Sequence, residues 1–149
     1  MALPLCVITD TQGQAAGNGS VSYGGYYIRE ILAHAGIPFD EIVRPLDKQS
    51  LSDRGLVVLP WHLALDDPER SVISDFVKGG GALVGLGGTS GLDDLFGVAD
   101  RGAMDDGYLQ IVESAHPVVN GFASSLHCFG GRRIKATEGQ VICKVVGAS

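Results

Sequence analysis

The sequence is poor in charge, and poorest in positive charge. Only 19% of its 149 residues are Asp, Glu, Lys or Arg, and the formal net charge is −6. Nucleic-acid affinity rests largely on clustered Lys and Arg against phosphates, so this balance excludes a phosphate-backbone binder. The one adjacent basic pair, Arg132-Arg133, reads as a solvated strand end.

Cysteine is scarce as well. Cys6, Cys128 and Cys143 are odd in number and far apart, which leaves neither a disulfide framework nor a metal-ligand spacing. The expected setting is reducing and cytoplasmic. Cys6 and Cys143 lie in apolar strand-like runs and should react slowly with thiol reagents. Long hydrophobic runs are also missing. The segment MALPLCVITD has no basic start and too few apolar residues before Asp10 for a signal peptide or membrane span. No cofactor or bound metal is expected.

What is present is a hydrophobic content of 45% with 22 glycines, a globular composition that fits one domain over residues 1–149. Strand-length apolar runs alternate with helical patterns. Leu5–Thr9, Phe39–Val43, Leu56–Leu59 and Ala82–Leu86 read as strands. Tyr26–Ala35 carries a helical stripe of Tyr27, Ile28, Ile31, Leu32 and Ala35, closed by Gly36. Pro68–Lys78 follows Asp67 as N-cap, has Glu69 in its first turn, and presents Val72, Ile73, Phe76 and Val77. This β-α-β, β-α-β order predicts a flavodoxin-like α/β domain, a three-layer sandwich around a mainly parallel sheet. Further strand candidates are Gly107–Val112, Leu126–Phe129, Ile134–Ala136 and Val141–Val146, with no helix expected after Val98. The chain is expected to be a domain of a longer protein.

The stretch KGGGALVGLGGTSG, Lys78 to Gly91, holds seven glycines and invites three readings. As a dinucleotide loop it has Gly85 and Gly87 but Ser90 at the third position, and it follows the fourth strand rather than the first. As a phosphate loop it lacks the terminal Lys-Ser/Thr pair. As a nucleophile turn, Gly87-Gly88-Thr89-Ser90-Gly91 has the right spacing, but threonine needs an activating base, and its β-branch resists positive φ. A structural turn is the remaining reading. Gly79 or Gly80 then ends the helix, Ala82–Leu86 is a buried central strand, and Thr89 and Ser90 are surface positions.

The segment LVVLPWHLALDDPERSVISDFVKGGGALVGLGGTSG resembles the class I glutamine amidotransferase-like superfamily, and within it the branch containing the β-galactosidase trimerisation domain. Phe76-Val77-Lys78-Gly79-Gly80-Gly81-Ala82-Leu83-Val84, Leu95-Phe96-Gly97-Val98 and His116-Pro117-Val118-Val119-Asn120-Gly121-Phe122 are similar to motifs of that branch. In the superfamily the turn after the corresponding strand delivers a catalytic cysteine, but here that place falls on Gly87, or on Thr89. The His-Pro-Glu motif is echoed only by His116-Pro117-Val118, where valine cannot orient an imidazole. Glutaminase activity is therefore not expected. The resemblance implies a non-catalytic accessory domain for oligomerisation or interaction, in the context of a carbohydrate-active enzyme. The alternatives are a small-molecule hydrolase or transferase, and a ligand-sensing domain.

Other residues carry two readings each. Asp10, Trp61 and His62 follow strands at the edge where open parallel sheets bind ligands. With Gly87, Gly88, Thr89 and Ser90 they form the candidate pocket for a small molecule or sugar. They equally suit a covered sheet edge facing solvent. Asp93-Asp94 and Asp105-Asp106 fit solvated turns better than a metal site, and His116 fits a turn. Arg29-Glu30 suit the solvated face of the first helix. Tyr23 and Tyr26, in a glycine-flexible stretch, are the candidate interface for self-association or for another domain.

Overall fold

A computed structural model describes residues 4–10, 23–122 and 125–147. The chain divides into two compact units, Met1–Leu95 and Phe96–Ser149. The first unit follows the order read from the apolar runs: β1 (Leu5–Thr9), α1 (Tyr23–His34), β2 (Asp40–Val43), β3 (Leu56–Leu59), α2 (Asp67–Lys78) and β4 (Ala82–Gly85). A one-turn helix, α3 (Asp93–Phe96), comes next.

The four strands pair in parallel in the order β2-β1-β3-β4, with Cys6 opposite Asp40 and Val57, and Val58 opposite Val84. The β1-to-β2 and β3-to-β4 connections step in opposite directions along the sheet. Right-handed crossovers therefore put α1 on one face and α2 on the other, which makes three layers. Both faces of β1 and β3 are covered accordingly. Val7 and Val58 pack with Leu32 of α1, flanked by Leu5, Ile28, Phe39 and Leu86. Strand alternation turns Cys6, Ile8, Val57 and Leu59 to the opposite face, where they are buried too, and α2 contributes the fully buried Ile73. Each such aliphatic side chain stabilises the fold by about 1.5–3 kcal/mol. The architecture is flavodoxin-like α/β with a parallel central sheet.

Three local expectations need correction. Among the described strands β4 is an edge, not the centre: Val84 is exposed and Leu83 only half-buried. On α1, Tyr27 and Ile31 lie outside the core at 58% and 61% exposure. The inward face is Gly25, Ile28, Arg29 and Leu32, rotated from the expected stripe, and Gly25 sits against Pro60 at the end of β3. The N-cap of α2 is Asp66, one residue earlier than expected, in a capping box with Glu69.

The glycines after α2 each have a reason. Gly79 and Gly80 donate back to Asp75 and Val77, and Gly80 takes φ +99, the left-handed value that lets the chain leave the helix. A side chain at Gly81 would lie 2.2 Å from the Phe76 ring.

The second unit is antiparallel. β5 (Val98–Ala103) pairs with β8 (Arg132–Ala136), with a register shift between Asp100 and Ala103. β7 (Leu126–Phe129), β6 (Asp106–Ile111) and β9 (Cys143–Val146) form a three-stranded sheet in that order. The strand candidates of this region are all present, and β5 is an additional strand. After β5 the described helical content is one 3-10 turn, Pro117–Val119. His116 caps that turn, its Nδ1 accepting the Val118 N–H at 3.2 Å, so it is a turn residue.

Candidate functional site

The four parallel strands of the first unit end along one edge, and most of the candidate residues meet there. Asp10 follows β1, Trp61 and His62 follow β3, and Gly87 to Gly91 follow β4. The turn after β4 is tightly built. Gly87 has φ +69, and a side chain there would come within 2.8 Å of the Trp61 ring, so the indole lies against the glycine backbone. Gly88 is half-buried.

Thr89 and Ser90 are not surface residues; each is only 2% exposed. The Thr89 hydroxyl donates to Asp93 Oδ1 at 2.5 Å. The Ser90 hydroxyl accepts the Leu63 N–H at 2.9 Å and donates to the Trp61 carbonyl at 3.3 Å. Ser90 has φ +54, a left-handed conformation costing a non-glycine residue roughly 1–2 kcal/mol. Its three hydrogen bonds to the loop after β3 hold it there. The third of these runs from the Ser90 N–H to His62 Nδ1 at 3.3 Å. That bond leaves the neutral ring with its proton on Nε2.

Nucleophilic catalysis needs a hydroxyl within reach of a base. Here His62 meets a backbone N–H, and both hydroxyls bond to other groups. A cysteine nucleophile is missing from the turn as well: Cys6 lies within β1, Cys128 within β7 and Cys143 within β9. Cys6 is fully buried, and that burial pushes its thiol pKa up.

Asp10 belongs to a charge cluster that no sequence pattern announced. Arg44, after β2, donates from NH1 to Asp10 Oδ2 at 3.1 Å and from NH2 to the Ala64 carbonyl at 2.7 Å. Its Nε donates to Glu69 Oε1 at 2.9 Å, and its NH2 forms a close ion pair with Glu69 Oε2. Glu69 is 1% exposed and also accepts the Leu46 N–H at 3.2 Å and the Asp66 N–H at 3.1 Å. The Arg44 guanidinium holds the Glu69 carboxyl below its ordinary value, and Glu69 in turn raises Arg44. The cluster ties the ends of β1 and β2 to the start of α2. Asp66-Asp67-Pro68-Glu69 carried the capping-box signal for Glu69. No local pattern marks Arg44.

Beside this edge, α2 and the α3 turn enclose an open cavity of about 330 Å³ lined by Arg70, Ser71, Ser74, Asp93, Asp94 and Leu95. The residues expected to line a pocket, Asp10, Trp61, His62 and Gly87 to Ser90, are not among its walls. Among the described residues no group of three or more His, Cys, Asp and Glu side chains is placed to hold a metal ion. Of the interface candidates, the Tyr23 side chain lies outside the described residues. Tyr26 is half-exposed and donates its hydroxyl to Glu30 at 2.7 Å; that bond raises the phenol's pKa. Arg29 is half-buried on α1 and pairs with Glu41 at 3.2 Å, whereas Glu30 is exposed. Among the described residues, no helix is long and apolar enough to cross a membrane.

No family model matches the sequence, and no curated protein matches it either. Solved structures do resemble its fold. One described as a ThuA-like protein from Bacteroides uniformis superposes with TM-score 0.62 at 12% identity, covering 95% of this chain and 67% of that one. A β-galactosidase from Bifidobacterium adolescentis superposes with TM-score 0.53 at 17% identity, covering 99% of this chain and 78% of that one. A GMP synthase component from Thermoplasma acidophilum gives TM-score 0.54 at 12% identity, covering 99% and 68%. The fold is amidotransferase-like, as the sequence resemblance implied, and the turn after β4 carries no catalytic cysteine.

Proposed function

We propose that this chain is a non-catalytic accessory domain that acts by self-association or by docking to another domain of a longer protein. The observation that carries this reading is the commitment of Thr89 and Ser90. At the position where an amidotransferase-like turn presents its nucleophile, both hydroxyls are buried and bonded to Asp93, Leu63 and Trp61. Exposed apolar side chains, including Tyr26, Tyr27 and Ile31 on α1, supply surface for contact with a partner. The likeness to a β-galactosidase fits a carbohydrate-active context, and three free cysteines fit a cytoplasmic one.

A ligand-sensing role is the second reading, favoured by the cavity beside α2 and its mixture of Arg70, serine hydroxyls and carboxylates. Light scattering across a concentration series, run beside an esterase, amidase and glycosidase panel, tests the main proposal. The expected result is a mass that rises with concentration and no turnover. Turnover by a concentration-independent monomer would overturn it.

A further inference from the structure

The β7-β6-β9 sheet presents a band of aromatic rings to solvent. Pairing register and strand alternation put Asp106 and Tyr108 of β6, His127 and Phe129 of β7, and Lys144 and Val146 of β9 on one face. Tyr108 stacks on His127 with ring centroids 4.6 Å apart at 21°, and His127 meets Phe129 edge-on at 4.1 Å. Cross-strand aromatic pairing accounts for the stacking. It does not account for a phenylalanine that is 77% exposed beside a tyrosine at 47%. Clustered, exposed aromatics are the residues that carry binding energy at interfaces.

We propose that a second copy of this chain docks on this face, related by a two-fold axis that crosses the strands. The inference rests on the accessory reading above and names the surface it uses. The charge pattern of the face favours a second copy over another occupant. Asp106 lies at the Phe129 end, opposite it in register, and Lys144 at the other end, opposite Gln110. Within the chain, Asp106 Oδ2 is 3.4 Å from His127 Nε2, a contact that leaves the carboxylate 44% exposed and open to a second cation. The Asp106 and Lys144 rows are four residues, about 13 Å, apart along β6. A two-fold axis across the strands lays each Asp106 over the partner's Lys144 with the rings between them, so the surface complements itself, as an isologous interface must. The exposed apolar side chains offer on the order of 400 Å² per copy, about half of a standard interface, so the dimer is weak and concentration-dependent.

Sedimentation of the full chain from low micromolar to near-millimolar concentration tests this. Wild type should dimerise, and Phe129→Ser should weaken the dimer at least tenfold. Asp106→Lys should weaken it, and adding Lys144→Asp should restore it, a rescue that a folding defect would not produce. Tyr27→Ser with Ile31→Ser, on the exposed face of α1, should leave it unchanged. A dimer broken by the α1 variants and indifferent to Phe129 and Asp106 would overturn this surface while preserving the accessory reading. A wild type that stays monomeric at every concentration would overturn both.

Discussion

The two units bury their apolar residues to very different extents. In the first, Cys6, Val7, Ile8, Val57, Leu59 and Ile73 are closed off almost completely, because a parallel sheet with a helix on each face leaves neither side to solvent. In the second, the described fully covered apolar side chains are Met104 and Val119, while Tyr108, Leu126, Phe129, Ile134 and Val145 remain exposed. An antiparallel sheet can leave a face to water, but that face is normally polar. An aromatic one is a surface suited to a partner. The contrast separates what holds the domain together from what it offers outward.

Substitutions can break that contrast, and the largest effects belong to the first unit. Glu69→Ala should cost about 3–5 kcal/mol in chemical denaturation, since it leaves Arg44 without its principal partner at a largely buried site. The same pair has a pH signature. The folded Glu69 carboxyl lies below its ordinary value, so its stabilisation is complete above about pH 4.5 and is lost as pH falls through the lowered value. Glu69→Gln should flatten that part of the stability curve, and an unchanged acid slope would contradict the assignment.

Ser90→Ala comes next, at about 1–3 kcal/mol, because it strands the buried Leu63 N–H. That exceeds the cost expected of the surface position that the sequence suggested. Smallest is Phe129→Ser, which should shift monomer stability by less than about 0.5 kcal/mol while altering self-association. A large loss of stability there would mean that the aromatic band is core.

Strand-length runs and caps made the first unit legible in the sequence. Leu5–Thr9 and Leu56–Leu59 are found at the expected boundaries, and both helices fall within a few residues of theirs. What periodicity could not supply was which side of α1 faces inward, since Tyr27-Ile28 and Ile31-Leu32 are adjacent apolar pairs and either member can lead. Sheet order was hidden for a related reason. ALVG reads as a buried run, yet β4 has a hydrogen-bonded neighbour among the described strands only in β3. At the site, glycine spacing revealed the turn but not the burial of Thr89 and Ser90. That burial depends on Leu63, Trp61 and Asp93, two of them contributed by the loop after β3. The Arg44–Glu69 pair joins residues 25 apart and leaves no local pattern.

The central claim is that the turn after β4 is structural, not a nucleophile mount. Incubation of the native chain with a fluorophosphonate, followed by intact-mass and peptide analysis, tests it most directly. The account predicts no adduct at Ser90 or Thr89, because both hydroxyls are buried and bonded without a base beside them. Stoichiometric labelling of either residue in the folded protein would contradict it.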